Sequence, residues 1–77
     1  STLRVFIMLD NMQPDAIQET LKVLKGKGLR DSVIVEASGG ISRENLEDYA
    51  KTGVDVISMG SLIHRSRWID MSLEIVN

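Results

Sequence analysis

Apolar residues along the chain fall into short, nearly continuous runs, and the runs are separated by stretches with helical periodicity. Three runs stand out, at residues 3–9, 33–37 and 54–59. Continuous apolar character over this length is typical of strands that are covered on both faces. A looser alternation at Met71, Leu73 and Ile75 predicts a fourth strand near the end of the chain.

The intervening stretches predict helices. The first helix begins at Pro14, a residue that the first helical turn tolerates. Its apolar positions share one face and are Ile17, Leu21 and Leu24. A second helix follows the second strand, with Ser42 as its cap and Gly53 at its end. A short helical stretch containing His64 is predicted after the third strand.

Alternating strands and helices with short connections predict an α/β fold with a parallel sheet and right-handed crossovers. Four strands cannot close a barrel of about eight. Parallel strands that are apolar on both faces also need cover on both sides. We therefore expect residues 1–77 to be one part of a larger parallel (β/α) barrel of the TIM type, incomplete in this chain.

Composition narrows the functional classes. The 77 residues carry a formal net charge of −2 and have a pI near 5.2, which disfavours nucleic acid and membrane surfaces as partners. The sequence has no cysteine, so neither a disulfide nor a thiolate metal site is available. No apolar run approaches the roughly 20 residues that a membrane-spanning helix needs. A soluble, cytoplasmic protein is the expectation.

Two glycine-containing loops follow predicted strands. Ser38, Gly39 and Gly40 follow the second strand, and Gly60 with Ser61 follows the third. Because the carboxyl ends of parallel strands share one rim, both loops are expected there, where α/β folds bind phosphorylated ligands. The alternative is that each loop is only a flexible strand-to-helix turn, for which glycine is the usual residue.

Three ionisable residues lie near the same rim. Asp10 and Glu36 stand at or near strand ends, and either they form ion pairs elsewhere in the barrel or they bind sugar hydroxyls or Mg²⁺. His64, the sole histidine, lies four residues after Gly60. It is either an ordinary surface or core residue or a hydrogen-bond donor to a phosphate oxygen.

Several motifs, taken in order, resemble the carboxyl-terminal part of the quinolinate phosphoribosyltransferase family. They are Met8-Leu9-Asp10-Asn11-Met12, Glu36-Ala37-Ser38-Gly39-Gly40-Ile41, Thr52-Gly53-Val54-Asp55, and Ile57-Ser58-Met59-Gly60 followed by His64 and Asp70. The resemblance implies an enzyme of NAD biosynthesis. Such an enzyme joins quinolinate to phosphoribosyl pyrophosphate, requires Mg²⁺, and releases pyrophosphate and carbon dioxide to give nicotinate mononucleotide.

The resemblance also implies roles for individual residues. Asp10 would be catalytic, contacting the ribose or the metal-bound diphosphate, and Glu36 would line the barrel interior near the reacting centre. The 5′-phosphate would be bound by the backbone N–H groups of four residues, with two side chains beside them. The four are Ser38, Gly39, Gly40 and Gly60, and the two are Ser61 and His64.

The same resemblance implies an incomplete barrel, a separate amino-terminal domain, and a dimer that completes each active site. The basic residues that bind quinolinate in this family belong to earlier segments, so this chain alone is expected to be inactive. Two alternatives remain open. One is another barrel enzyme that binds a sugar phosphate, and the other is a non-catalytic half-barrel fragment.

Overall fold

The computed structural model describes residues 5–65 and 72–75, and Asp70 and Met71 lie outside these ranges. The strands are β1 (Val5–Asp10), β2 (Val33–Ser38), β3 (Val56–Met59), β4 (Leu62–Arg65) and β5 (Ser72–Ile75). The helices are α1 (Pro14–Gly26) and α2 (Leu46–Ala50), and a single 3-10 turn spans Arg30–Ser32. Neither of these two helices has the length and apolar character needed to cross a bilayer.

The five strands form one mixed sheet in the order β1-β2-β3-β4-β5. The pairings of β1 with β2 and of β2 with β3 are parallel, as predicted from the alternation of strands and helices. The pairings of β3 with β4 and of β4 with β5 are antiparallel, so the expectation of a wholly parallel sheet is wrong for this end. The predicted strand at Leu73 and Ile75 is confirmed as β5.

The helix predicted around His64 is also wrong, because this stretch forms β4. Met59 pairs with Leu62, which leaves only Gly60 and Ser61 in the connecting turn. Gly60 has a φ of 63°, the left-handed backbone that two-residue hairpin turns require. A helix of one turn has little stability by itself, whereas β4 forms backbone hydrogen bonds with a strand on each side.

The core lies between the two helices and one face of the sheet. Its buried members are Ile17, Leu21, Val33, Val35, Ala37, Tyr49, Val54 and Ile57. The predicted stripe on α1 is therefore confirmed, with Leu24 partly buried against the same cluster. The Tyr49 hydroxyl also donates a hydrogen bond of 3.0 Å to the Met12 carbonyl, which ties α2 to the connection after β1.

The opposite face of the sheet is open along β1. Phe6 and Met8 alternate with the core-facing residues Ile7 and Leu9. Phe6 and Met8 are each more than half exposed. The β1 sequence is apolar on both faces, yet the described residues cover only one of them. Asp10, Glu36 and Ser38 lie on this open face, because Asp10 follows Met8 by two residues and pairs with Ser38.

Candidate functional site

The carboxyl ends of β1 and β2 bring Asp10 and Ser38 together. The two residues are register partners, and the Ser38 hydroxyl donates to Asp10 Oδ1 over 3.4 Å. The next backbone group continues the contact, since the Asn11 N–H donates to the Ser38 carbonyl at 2.9 Å. The predicted meeting of Asp10 with the first glycine loop is therefore observed.

Gly39 occupies a crowded position beside these residues. A Cβ atom built on Gly39 would lie 2.8 Å from Asp10 Oδ1 and 3.0 Å from Asn11 Cγ, with Asn11 Oδ1 closer still. Gly39 also has a φ of 88°, a conformation that L side chains rarely adopt. Glycine is therefore required here both by its neighbours and by its backbone.

The other two glycines of the predicted site are left-handed but not crowded. Gly40 has a φ of 70° and Gly60 a φ of 63°. A Cβ atom on either would meet no described atom within 4 Å. Open space beside bare backbone is what a ligand needs if it is to approach the main chain closely.

Asn45 holds the loop between Gly40 and α2 in place. Its Nδ2 donates to the Gly40 carbonyl at 3.0 Å, and its Oδ1 accepts the Ser42 N–H at 2.8 Å. The sequence predicted Ser42 as the cap of this helix, but α2 begins only at Leu46, with Asn45 at the boundary. The predicted cap is therefore wrong. The side chain of Asn45 forms the hydrogen bonds to the loop, and residues 43–45 form a turn before the helix.

Ser42 has a different partner. Its hydroxyl hydrogen-bonds to the Glu44 carboxylate and lowers the pKa of Glu44 below the ordinary 4.5, with help from the backbone N–H of Glu44 and the charge of Arg43. Glu44 is fully exposed. The polar side chains after the glycine loop therefore form hydrogen bonds with one another or with the adjacent backbone.

Strand register places the two glycine loops side by side. Glu36 pairs with Val56, an offset of 20 residues (56 − 36). The same offset relates Gly40 to Gly60 (60 − 40). The loops therefore leave neighbouring parallel strands at matching positions, as the shared rim predicted.

Glu36 lies below this rim on the open face of the sheet. It pairs with Met8 on one side and Val56 on the other, and its exposure is 7%. Among the described residues, no side chain forms an ion pair or hydrogen bond with it. The ion pair that the sequence left open as an alternative is therefore not observed in that part of the chain.

Of the remaining predicted residues, the structure places one beside the rim and one away from it. Ser61 is exposed in the hairpin turn next to Gly60. His64 lies opposite Ile57, so it is on the helix-covered face, with an exposure of 7%. Its Nδ1 atom has no hydrogen-bond partner among the described residues. The structure therefore does not bring His64 to Asp10 and Ser38, which lie on the opposite face.

The described residues contain no group of three or more His, Asp or Glu side chains that could hold a metal ion. Mg²⁺ nevertheless needs only one or two carboxylates when substrate phosphates supply its other ligands. Asp10 is exposed at the rim and fits that limited requirement. A Mg²⁺ ion that arrives with a phosphorylated substrate is therefore compatible with this arrangement.

Two rim residues were not predicted from the sequence as part of the site. Asn11 and Asn45 contact the loop that contains Gly39 and Gly40. A signal for Asn11 was present, because asparagine after a strand end is one of the few non-glycine residues that tolerate a left-handed backbone. The partners of Asn45 depend on the loop conformation, which no local pattern indicates.

The sheet, parallel over β1, β2 and β3, and its helices define the class of α/β proteins, in which ligands bind at the carboxyl ends of the strands. Within that class, the chain belongs to a known family. Residues 4–74 match the family described as quinolinate phosphoribosyl transferase, C-terminal domain. The predicted family is therefore confirmed.

Individual relatives agree with this assignment. A "probable nicotinate-nucleotide pyrophosphorylase (carboxylating)" of Methanothermobacter thermautotrophicus is 56% identical over 69 residues, which is 90% of this chain and 25% of that protein. The nicotinate-nucleotide pyrophosphorylase (carboxylating) of Homo sapiens is 42% identical over 69 residues, 90% of this chain and 23% of that protein. The enzyme of the same name in Rattus norvegicus is 41% identical over 69 residues, again 90% of this chain and 22% of that protein. The chain thus spans about a quarter of the length of the curated relatives it matches.

Proposed function

We propose that this chain is the carboxyl-terminal part of the α/β barrel of a quinolinate phosphoribosyltransferase. The enzyme would transfer the phosphoribosyl group of phosphoribosyl pyrophosphate to quinolinate, with loss of carbon dioxide, to give nicotinate mononucleotide. The observation that carries the proposal is the grouping of Asp10, Ser38 and Gly39 at one rim in a chain of this family.

The chain would contribute the phosphoribosyl half of the site. Backbone N–H groups of Ser38, Gly39, Gly40 and Gly60 would bind the 5′-phosphate, with Ser61 beside them. The uncrowded glycines support this role, because a phosphate can approach main-chain groups that no side chain shields. His64 was predicted to join them, but its place on the other face of the sheet gives that role no support.

Two carboxylates would assist the chemistry. Displacement of pyrophosphate at the anomeric carbon develops positive charge on the sugar, and negative groups nearby stabilise that charge. Glu36 suits this role because it is held by strand pairing on both sides, is largely removed from water and has no described ion-pair partner. Asp10 would accept hydrogen bonds from the ribose hydroxyls or bind the metal on the diphosphate.

Mg²⁺ would neutralise charge on the departing diphosphate when it is bound. Asp10 is the described residue best placed to hold it, with the substrate's own oxygens as further ligands. Asp10 would also fix the position of the ribose, and such positioning is a large part of the catalytic effect in reactions without a protein nucleophile.

The remainder of the enzyme would cover the open face of the sheet. Phe6 and Met8 are exposed there, although apolar residues on a parallel strand are normally buried on both faces. Additional strands would complete the barrel, and a second subunit and an amino-terminal domain would complete the active site. The basic residues that bind the two carboxylates of quinolinate would come from those parts.

The test is an assay of the full-length protein that contains this sequence. Purified protein is supplied with phosphoribosyl pyrophosphate, Mg²⁺ and quinolinate, and nicotinate mononucleotide is measured. Turnover with quinolinate, and none with other pyridine carboxylates, is expected. Binding of phosphoribosyl pyrophosphate with no reaction of any pyridine carboxylate would instead favour another enzyme that uses a sugar phosphate.

A second assay tests how the site is divided between this chain and the rest. The 77-residue chain alone should form no product, because it lacks a clamp for quinolinate. Activity should return when the missing segment is added in trans, and it should be lost again when the chain carries Asp10→Asn. Clear turnover by the chain alone would contradict the proposed division.

A further inference from the structure

Asn11 has an unusual backbone for its residue type. It is the one non-glycine residue among those described with a positive φ, at 57°. This left-handed conformation is unfavourable for most L residues, although asparagine adopts it more readily than others. Residues held in such conformations are concentrated at binding sites.

The fold uses the backbone of Asn11 but makes little use of its side chain. The Asn11 N–H donates to the Ser38 carbonyl at 2.9 Å, which couples the loop after β1 to the end of β2. The side-chain amide occupies the space that a Cβ atom on Gly39 would need, and it makes no hydrogen bond to any described residue. Asn11 is exposed at the rim. An amide with two donors and an acceptor is thus held at the site without a partner in the described part of the chain.

The left-handed turn also determines where this amide lies. It stands next to the Asp10 carboxylate and above Gly39, since both would contact the same added Cβ atom on that glycine. A carboxylate only accepts hydrogen bonds, whereas the amide nitrogen donates them. The pair therefore presents complementary groups to a ligand that carries hydroxyl and phosphoryl oxygens close together.

We propose that Asn11 is a substrate-binding residue that donates a side-chain hydrogen bond to an oxygen of the phosphoribosyl donor. The inference rests on the proposed function, because it concerns the same half of the site. Asp10 accepts from a hydroxyl of the ribose, Asn11 donates to an adjacent ribose or phosphoryl oxygen, and Gly39 leaves room for both. Substitution of Asp10 removes an acceptor and substitution of Asn11 removes a donor, so each change weakens binding by removing a different hydrogen bond.

The competing explanation is that only the backbone of Asn11 matters. Asn11→Gly separates the two explanations, because glycine adopts the left-handed conformation freely and keeps the N–H bond to Ser38. Asn11→Asp is the second variant, since it keeps the shape and the tolerance of a positive φ but replaces the donor with a second carboxylate. Gln13→Gly is the matched control, because it also removes an exposed side-chain amide from this loop. The side chain of Gln13 forms no capping hydrogen bond with α1.

Each full-length protein is titrated calorimetrically with phosphoribosyl pyrophosphate and Mg²⁺, and its KM, kcat and unfolding midpoint are measured. Asn11→Gly should weaken binding about ten-fold or more with an unfolding midpoint near that of the wild type. Asn11→Asp should bind still more weakly, because its charge repels phosphate, and Gln13→Gly should match the wild type.

Binding by Asn11→Gly within two-fold of the wild type would overturn the inference while leaving the proposed function intact. A wild-type protein that neither binds nor consumes phosphoribosyl pyrophosphate would instead overturn the proposed function, and this inference with it.

Discussion

Asp55 binds Val35 through both its main chain and its side chain. The Asp55 N–H donates to the Val35 carbonyl at 3.0 Å, and Asp55 Oδ2 accepts the Val35 N–H at 2.7 Å. The same oxygen accepts from the Arg30 guanidinium at 3.1 Å, and Asp55 is only 1% exposed. Because Asp55 immediately precedes β3, these bonds set the register of β3 on β2, and that register aligns the two glycine loops.

Asp55→Ala is therefore expected to destabilise the full-length protein strongly. The change leaves the Arg30 guanidinium, which is 11% exposed, without its carboxylate and the Val35 N–H without its acceptor. Removing one partner of a buried ion pair costs about 3 to 5 kcal/mol. Urea unfolding followed by circular dichroism measures this loss.

The control for Asp55→Ala is Glu47→Ala, which breaks the exposed pair with Lys51. It should cost less than about 0.5 kcal/mol. Equal losses in the two variants would show that the Asp55 cluster contributes no more than a surface ion pair.

Gly39→Ala should harm the protein more than the same change at another left-handed glycine. Gly28 has a φ of 71° and no described atom within 4 Å of an added Cβ, so Gly28→Ala pays only for its backbone, about 1 to 2 kcal/mol. Gly39→Ala has a similar backbone cost and must also displace the Asp10 and Asn11 side chains. Unfolding midpoints of the two variants are compared, together with their affinity for phosphoribosyl pyrophosphate. If both variants were equally stable and bound equally well, the crowding at Gly39 would have no consequence.

Asp10→Asn should lower turnover far more than it lowers stability. The side chain keeps its shape and is exposed, so its charge contributes little to the free energy of folding. The proposed chemistry, in contrast, depends on that charge. The kcat and the unfolding midpoint of the full-length enzyme are measured together, with the exposed Asp48→Asn as control. A collapse in stability with normal specific activity of the folded fraction would make Asp10 a structural residue.

Glu44 should make a small acid-sensitive contribution to stability. Its pKa in the folded chain is lowered below 4.5 by the Ser42 hydroxyl first of all. A lowered pKa means that this contribution is present above pH 4.5 and is lost as the pH falls through the folded-state pKa. The advantage of the wild type over Glu44→Gln in unfolding midpoint should therefore shrink on acidification.

Carboxyl NMR titration gives a direct check, because Ser42→Ala should bring the pKa of Glu44 back towards 4.5. A pH-independent difference between the wild type and Glu44→Gln would contradict the linkage.

The sequence was a good guide wherever a periodic pattern decided the structure. The stripe of Ile17 and Leu21 predicted α1, and the apolar runs predicted β1, β2 and β3. The shared rim of Asp10, Ser38 and the glycine loops followed from parallel pairing alone. Each of these features needs only local periodicity and the rule that parallel strands end together.

Features that depend on distant partners were missed. The stretch around His64 was predicted to be helical, but its pairing with β3 and β5 decides its structure. The contacts of Asp55 with Arg30 and Val35 join residues 25 and 20 positions apart. The left-handed backbone of Asn11 shows its significance only once Gly39 lies beside it.

The hairpin at Gly60 and Ser61 has a consequence for the direction of the chain at the borders of the sheet. One reversal takes the chain into β4 and a second takes it into β5, so β5 again runs in the same direction as β1, β2 and β3. Both outer strands of the described sheet, β1 and β5, therefore point the same way. Further strands joining these two borders could each be parallel to their neighbours, so a single reversed strand does not prevent the sheet from closing into a ring.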